Sequence, residues 1–481
     1  MRNTARTALV AAICLMLGGC MVGPNYVRPT VDTPTAWRVS DQAAKELANT
    51  EWWQQFNDPV LNALVVEALR ENKDLLIATA RIEEYAGRYG ITRSQLFPQV
   101  GLGADASRQR GSVTSADATS QTYSTYDALL GVNWEIDLWG KIRRQSEAAR
   151  AQIVASEEGR QGVILTLVAS VASGYVNLRA LDRQLEVAKS TANARGASYK
   201  IFKDRFAGGV ISLLELSQNQ SQYEEALATV PQFEKSVAQQ ENALSALLGR
   251  NPGPIARGKD IDHLTAPVAP QGLPSSLLER RPDIREAEQK LIAANAQIGA
   301  AKAAYYPSIS LTGALGVASG SLSDLFGGAS KVWQYGGSLG LPIFTAGLLA
   351  GQVQVAESVQ QQALFAYQKA IQDAFRSVDD ALIDQDKTRV QLAAQGRQVA
   401  SLQQYSDTAR LRYDNGYTSF LEVLDAERSL FNAQLSYAQT QQILLQASIN
   451  LYKAMGGGWM AQAAPMPGGS VAGNGAVSTL R

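Results

Sequence analysis

An internal duplication constrains this chain more than any other feature. Residues from about Asp58 to Gly249 return, in diverged form, from about Leu273 to Gly456. Leu96-Phe97-Pro98-Gln99-Val100 is answered by Tyr305-Tyr306-Pro307-Ser308-Ile309, and Arg205-Phe206-Ala207-Gly208-Gly209 by Arg412-Tyr413-Asp414-Asn415-Gly416. Leu248-Gly249 is answered by Met455-Gly456. A length of 481 would allow several globular domains, but the duplication argues for one extended fold made of two copies. Each copy carries two short alternating segments between very long helical runs. Two strands, or even four, cannot close a barrel, so the pattern points to several chains pooling their strands.

The alternating segments are explicit. Val100, Leu102, Ala104 and Ala106 alternate with Gly, Asp and Ser; after a polar loop from Gly111 to Gln121, Ala128, Leu130, Val132, Trp134 and Ile136 alternate again. In the second copy Ile309, Leu311, Gly313, Leu315 and Val317 alternate, then Leu339, Leu341 and Ile343. Strands of about ten residues suit a tilted outer-membrane strand. Phe97, Tyr123, Tyr126, Trp134, Trp139, Tyr305, Tyr306, Trp333, Tyr335 and Phe344 bracket them, as an interfacial girdle would. A soluble hairpin with edge aromatics gives the same local pattern.

Asp58-Pro59 reads as a cap and first helical residue, with helix running to about Gln95. A second run spans about Gly140 to Arg205, with Ile164, Val168, Val171, Tyr175, Leu178, Leu181 and Leu185 at helical spacing. Its counterpart, Ala346 to Arg412, repeats this with Ile371, Phe375, Val378 and Leu382. A helix of that length reaches roughly 100 Å. Gly208-Gly209 and Asn415-Gly416 end these runs, and shorter helices follow from about Ser212 to Leu248 and Ser419 to Met455. Pro231 lies inside one of them and predicts a kink, at a cost of about 3 kcal/mol unless compensated.

At the N-terminus, Arg2, Arg6 and an apolar core from Ala8 to Leu17 read as a secretory signal over residues 1–19. Leu17-Gly18-Gly19-Cys20 resembles a bacterial lipobox, which implies acyl chains on Cys20; Met21 after it favours the outer membrane. The expected organisation is a lipidated tether at 20–57 packing by its Trp residues, repeats at 58–250 and 273–456, an equatorial inter-repeat segment at 251–272 and a flexible tail at 457–481. No stretch after the signal holds about 18 uninterrupted apolar residues, so any later insertion must use strands.

Chemistry-bearing motifs are sparse. Lys plus Arg and Asp plus Glu both number 44, which gives nucleic-acid binding no electrostatic support. His263 is the only histidine and Cys20 the only cysteine left after signal removal, so neither a metal-ligand set nor a Ser-His-Asp triad can be assembled. The expected protein is non-enzymatic, with no metal and no cofactor beyond the lipid on Cys20. Leu421 and Asp425 lie four apart on one helix face. If several copies meet at an axis, they give an apolar ring and an acidic ring, which block by dewetting and favour cations respectively. An ordinary helix start with a solvated Asp425 fits the same residues. The first copy has Leu214 and Gln218 at the matching places.

Several motifs together resemble the outer-membrane factor family, the exit ducts of tripartite efflux pumps and type I secretion. They are Cys20-Met21-Val22-Gly23-Pro24-Asn25-Tyr26, Trp52-Trp53 through Asp58-Pro59, Glu279-Arg280-Arg281-Pro282-Asp283-Ile284-Arg285, Ala304-Tyr305-Tyr306-Pro307 and Leu424-Asp425-Ala426-Glu427-Arg428. The likeness is to the lipoprotein subgroup paired with resistance-nodulation-division pumps. It implies an α+β, mainly α fold: a homotrimer whose four strands per chain close a twelve-stranded outer-membrane barrel, continued by a helical barrel through the periplasm. It further implies a gate at Tyr413, Leu421 and Asp425, and tip turns at Gly208, Gly209, Asn415 and Gly416 that dock a periplasmic adaptor. An inner-membrane proton-driven pump and outer-membrane lipid complete the implied partners. A duct for protein secretion and a poreless periplasmic coiled-coil scaffold are the alternatives; a scaffold has no use for four aromatic-bordered strands.

Overall fold

The computed structural model describes residues 21–31, 34, 51–110, 122–266 and 277–457. Cys20, Trp37, the loop at 111–121 and the tail beyond 457 lie outside the described residues. In the first copy α1 (Pro59–Glu71) and α2 (Lys73–Ser94) lead into β1 (Gln99–Arg110), and β2 (Thr122–Ile136) leads into α3 (Lys141–Ala207) and α4 (Leu213–Leu247). In the second, α5 (Pro282–Ala303) leads into β3 (Ser308–Ser319), and β4 (Lys331–Gly340) into α6 (Leu348–Asp414) and α7 (Phe420–Ala454). The duplication is carried into length: α3 and α6 have 67 residues each, α4 and α7 have 35 each.

Contacts divide the chain into two compact units that cut across the repeats. One unit holds residues 73–164 and 281–376 with the described N-terminal residues. Its sheet has the order β1-β2-β3-β4, all pairs antiparallel. The registers run without a bulge, Gln99↔Asn133 to Arg110↔Thr122, Tyr126↔Ser319 to Ile136↔Ile309, and Ser308↔Gly340 to Val317↔Lys331. The β2–β3 ladder therefore joins the two copies, and β1 and β4 are left as edges. Below that seam α3 and α5 meet through Ala148, Ala151, Ala293 and Ala296, side chains small enough for close approach.

The other unit comprises 36–72, 165–280 and 377–481, described where stated above. The helical-spacing residues of α3 become its core: Val168, Val171, Tyr175 and Leu178 are buried. Trp52 and Trp53 are buried too, and Trp52 stacks on Tyr452 at 5.3 Å. Asp58 is a fully buried carboxylate. It caps α1 by accepting from the Val60 and Leu61 amides (2.8 and 3.3 Å), and also accepts from the Tyr175 hydroxyl (2.8 Å) and the Lys259 amide (2.9 Å). One side chain thus ties a helix start, the long α3 and the inter-repeat segment together.

Several expectations need correction. The first helix is not continuous to Gln95: Asn72, with ψ 130°, breaks it. Its side-chain amide donates to the Leu247 carbonyl (2.9 Å) at the end of α4. Gly249, in the left-handed region at φ +75°, lies so close that a Cβ would stand 2.2 Å from the Glu71 carbonyl. The break is thus made by tertiary packing. β4 stops at Gly340, so Leu341 and Ile343 continue the alternation outside the strand, where Pro342 has no amide to donate. α4 stays helical through Pro231, which is compatible with the kink expected there. The carbonyl that loses its partner belongs to Leu227, which is 40% exposed, so water can take the bond. Among the described residues α3 alone has a stretch apolar enough, by length and composition, to cross a membrane, but 67% of that stretch is buried in the protein.

Candidate functional site

The bulge-free registers fix which side chains share a sheet face. One face carries Val100, Leu102, Ala104 and Ala106 of β1, Ala128 to Ile136 in alternation on β2, Ile309, Leu311, Leu315 and Val317 of β3, and Trp333, Tyr335 and Leu339 of β4. The other carries Gln99, Gly101, Gly103, Asp105, Asn133, Asp127, Thr312, Ala314, Gly336 and Gln334. The first face leaves Leu102, Leu315, Trp333 and Leu339 exposed. In water such a face is a liability; against lipid it is what a barrel strand presents, with small polar residues toward the lumen. Phe97, Trp134, Trp139, Tyr305, Tyr306 and Phe344 lie at the helix end of the sheet, and Trp139 packs on Tyr306 at 4.8 Å while donating to the Pro307 carbonyl (2.8 Å). Trp333 and Tyr335 depart from the border: they pair with Leu315 and Gly313 in mid-sheet and stack on each other at 5.7 Å.

Beside the sheet, α2, α3, α5 and α6 surround a concavity of about 1040 Å³. Gln95, Gln145, Gln152, Gln297 and Gln362 line it with several alanines. Asp283, Glu286 and Lys290 line it too, the last two paired at 2.5 Å, so the wall is polar and carries charges of both signs. On α5 the residues between these belong to an N-terminal strap. Val22 donates to the Trp139 carbonyl (3.1 Å), and Met21 lies against Gly140. Arg144 donates to the carbonyls of Val22 and Gly23 and to Asn25, and Asn295 to the Pro24 carbonyl (3.1 Å). Glu288 then accepts from Tyr26 (3.0 Å) and twice from Arg28 (2.6 and 2.5 Å). Burial, with Glu288 beside it, pushes the Tyr26 hydroxyl up, and the Glu288 hydrogen bond holds the Arg28 charge more firmly. Residues 21–31 of the tether are thus fastened by polar contacts, while its Trp52 and Trp53 are buried. Glu288→Gln should speed amide exchange across residues 21–31 about tenfold, since a bond to a charged group contributes about 1.5–3 kcal/mol; exchange at the native rate would show the clamp to be ornamental.

In the other unit the turns after α3 and α6 are built alike. Gly209 and Gly416 take φ +72° and +79°. Val210 donates to the Arg205 carbonyl and Tyr417 to the Arg412 carbonyl, both at 2.9 Å, which is the paired closure of a Schellman end. Gly208 and Asn415 precede them, the Asn415 side chain donating back to Leu411 (2.7 Å). Val210 and Tyr417, at matching places, are both exposed. Ser212 and Glu215 form a full capping box for α4, whereas Ser419 makes no side-chain cap for α7.

A groove of about 390 Å³ between the first turns of α4 and α7 brings the two copies' equivalent residues together: Leu214 and Gln218 from one, Leu421 and Asp425 from the other. Leu421 is 63% exposed. Asp425 is exposed and accepts from Arg428 (2.8 Å), a partner the i, i+3 spacing could have revealed. Tyr413 does not join them. It sits in an aromatic cluster with Phe202 (6.2 Å) and Phe420 (5.2 Å), over Val423 and Ala426. Sequence reasoning also missed Arg195, which is 4% exposed on α3. It donates to the Gln222 carbonyl (2.9 Å) and lies over the Phe431 ring at 5.5 Å. Burial lowers its pKa, and burial raises that of nearby Glu427 against the pull of Arg410 and Arg195.

Comparison with known proteins fits this geometry. The family model described as outer membrane efflux protein matches residues 64–250 and 273–457, one segment in each copy. The cation efflux system protein CusC of Escherichia coli K12 is 36% identical over 451 residues, covering 93% of this chain and 98% of its own. The toluene efflux pump outer membrane protein TtgC of Pseudomonas putida is 37% identical over 462 residues, covering 94% and 96%. The open-state crystal structure of the MtrE outer membrane channel of Neisseria gonorrhoeae superposes with a TM-score of 0.81 at 33% identity, covering 92% of this chain and 99% of that one.

Proposed function

The chain belongs to the outer membrane efflux protein family and is an outer-membrane efflux channel, and we propose that it works as the passive exit duct of a tripartite assembly. The observation that carries this is the sheet: four strands, one apolar face, one polar face, and two open edges. Lipid cannot satisfy open edges, so the strands must pair with further copies. Three chains closing twelve strands is the arrangement the family resemblance implies. The polar face and the glutamine-lined concavity then belong to one continuous lumen. An inner-membrane pump supplies the energy, and a periplasmic adaptor meets the turns at Gly208-Gly209 and Asn415-Gly416, whose exposed Val210 and Tyr417 offer apolar contacts. The relatives named above are efflux proteins, which favours small-molecule or ion export over protein secretion. We read the chain as non-enzymatic.

Leu421 and Asp425 are the gate residues in this reading. Both are exposed on the first turns of α7 and free to meet their copies at an axis, with Arg428 as the local counter-charge. Tyr413 acts one step back, holding α7 to the end of α3 through Phe202 and Phe420. The lipid sits on Cys20. The strap begins at Trp139 and Gly140, beside the helix end of the sheet, so an acyl chain on the preceding residue enters the membrane at its periplasmic border. Single-channel recording in a planar bilayer tests the duct: the wild type should give small, brief openings, and Asp425→Ala with Leu421→Ser several-fold larger ones. Absence of any conductance in both would defeat the duct, and identical conductance would defeat the gate. Cys20→Ser should abolish incorporation of labelled fatty acid.

A further inference from the structure

The strands hold six charged residues, and the register sorts them by sign. Asp105, Asp127 and Glu135 all lie on the polar face; Arg108, Arg110 and Lys331 all lie on the apolar one. On that apolar face no charged residue interrupts β2 from Ile136 to Tyr126. The ten steps between them make about 34 Å along a strand, or about 26 Å of bilayer at the usual barrel tilt, which matches the hydrocarbon band. Arg108 and Arg110 stand just beyond it, opposite Ser124 and Thr122. Lys331 opens β4 opposite Val317, near the same end, with a stem long enough to carry its ammonium outward. All three are exposed. This end of the sheet carries the strand-to-strand hairpins and the other end leads into the helices, so the basic residues face the outer leaflet.

From this segregation we propose that Arg108, Arg110 and Lys331 form a binding patch for the phosphate-bearing headgroups of outer-leaflet lipid. The occupant follows from continuity and charge. The patch is contiguous with a face that meets acyl chains, so what reaches it is the headgroup of the same lipid, and guanidinium groups bind phosphate in a two-pronged geometry. In a closed barrel β4 of one copy borders β1 of the next, so Lys331 and the two arginines approach one seam. The strand acids Asp105, Asp127 and Glu135 stay on the other face. The patch rests on the proposed duct in one respect, that the apolar face is the one turned to lipid.

The test uses the full-length protein as an assembled oligomer in detergent, titrated with bisphosphorylated lipid A, with its enzymatically dephosphorylated form, and with inorganic phosphate. Bound lipid is counted by native mass spectrometry. Wild type should prefer the bisphosphorylated lipid. Each basic side chain contributes about 1 kcal/mol near an anionic surface, so Lys331→Gln should weaken binding about fivefold and Arg108→Gln with Arg110→Gln about thirtyfold. Arg108→Lys with Arg110→Lys should retain most of it. Equal binding of the two lipids by the wild type overturns the patch without any variant. Displacement of lipid A by millimolar inorganic phosphate overturns the lipid assignment. Unchanged binding in variants that still assemble and conduct overturns the residue assignment while leaving the duct intact.

Discussion

Leu130→Arg should strip the outer membrane of assembled channel, while Leu129→Arg, one residue away, should not. Leu130 lies in the middle of the apolar face, in a row with Leu102, Leu315 and Trp333. An arginine facing lipid near mid-membrane costs about 2–4 kcal/mol, and each copy of the assembly adds that amount again. Leu129 points to the opposite face between Gly103 and Gly316, where a long polar side chain can extend into water. The amount of heat-modifiable oligomer in outer-membrane fractions reads the difference. Equal yields would mean that the two faces have been exchanged or that neither meets lipid. Conductance of the Leu129→Arg channel should shift toward anions, since the new charge stands beside Asp105 and Asp127 on the lumen side.

Asp58→Ala should be the most damaging single substitution in the helical unit, at roughly 3–5 kcal/mol. About 1 kcal/mol is the lost helix cap; the rest is the buried Tyr175 hydroxyl and the half-buried Lys259 amide left without their acceptor. Asp58→Asn keeps an oxygen for the cap and should cost less. Tyr175→Phe removes one donor but also takes the acceptor of the Gly258 amide (2.9 Å), and should cost about 1–2 kcal/mol, less than Asp58→Ala. Thermal loss of helical circular dichroism in detergent measures all three. Midpoints that do not separate Asp58→Ala from Tyr175→Phe would reduce Asp58 to a cap and nothing more.

The strands and long helices were legible because each announces itself by period: Leu102, Leu130 and Leu315 recur on the even count, Val168, Val171 and Tyr175 on the helical one. The turns were legible because Gly209 and Gly416 occupy a backbone conformation that other residues avoid. What escaped was set by partners far along the chain. The local mark at Asn72 is weak, an Asn without Gly or Pro beside it; Leu247 and Gly249 make the break. Alternation alone carried β4 on to Ile343, although hydrogen bonding ends at Gly340. Nothing local marks the depth of Trp333 and Tyr335; the register seats them opposite Leu315 and Gly313. At the candidate gate, Leu421 and Asp425 stand on the exposed face that their spacing implied, while Tyr413 is drawn inward by Phe202, an aromatic more than two hundred residues earlier.

The two bare margins of the sheet also have a genetic consequence. A subunit that folds but spoils its seam does not merely fail by itself, because it occupies a berth that healthy siblings need on either flank. With equal expression of sound and faulty alleles and random mixing in threes, only about one assembly in eight is wholly sound. Lesions along β1 or β4 should therefore behave as dominant in merodiploid cells, whereas lesions that prevent folding altogether should be recessive.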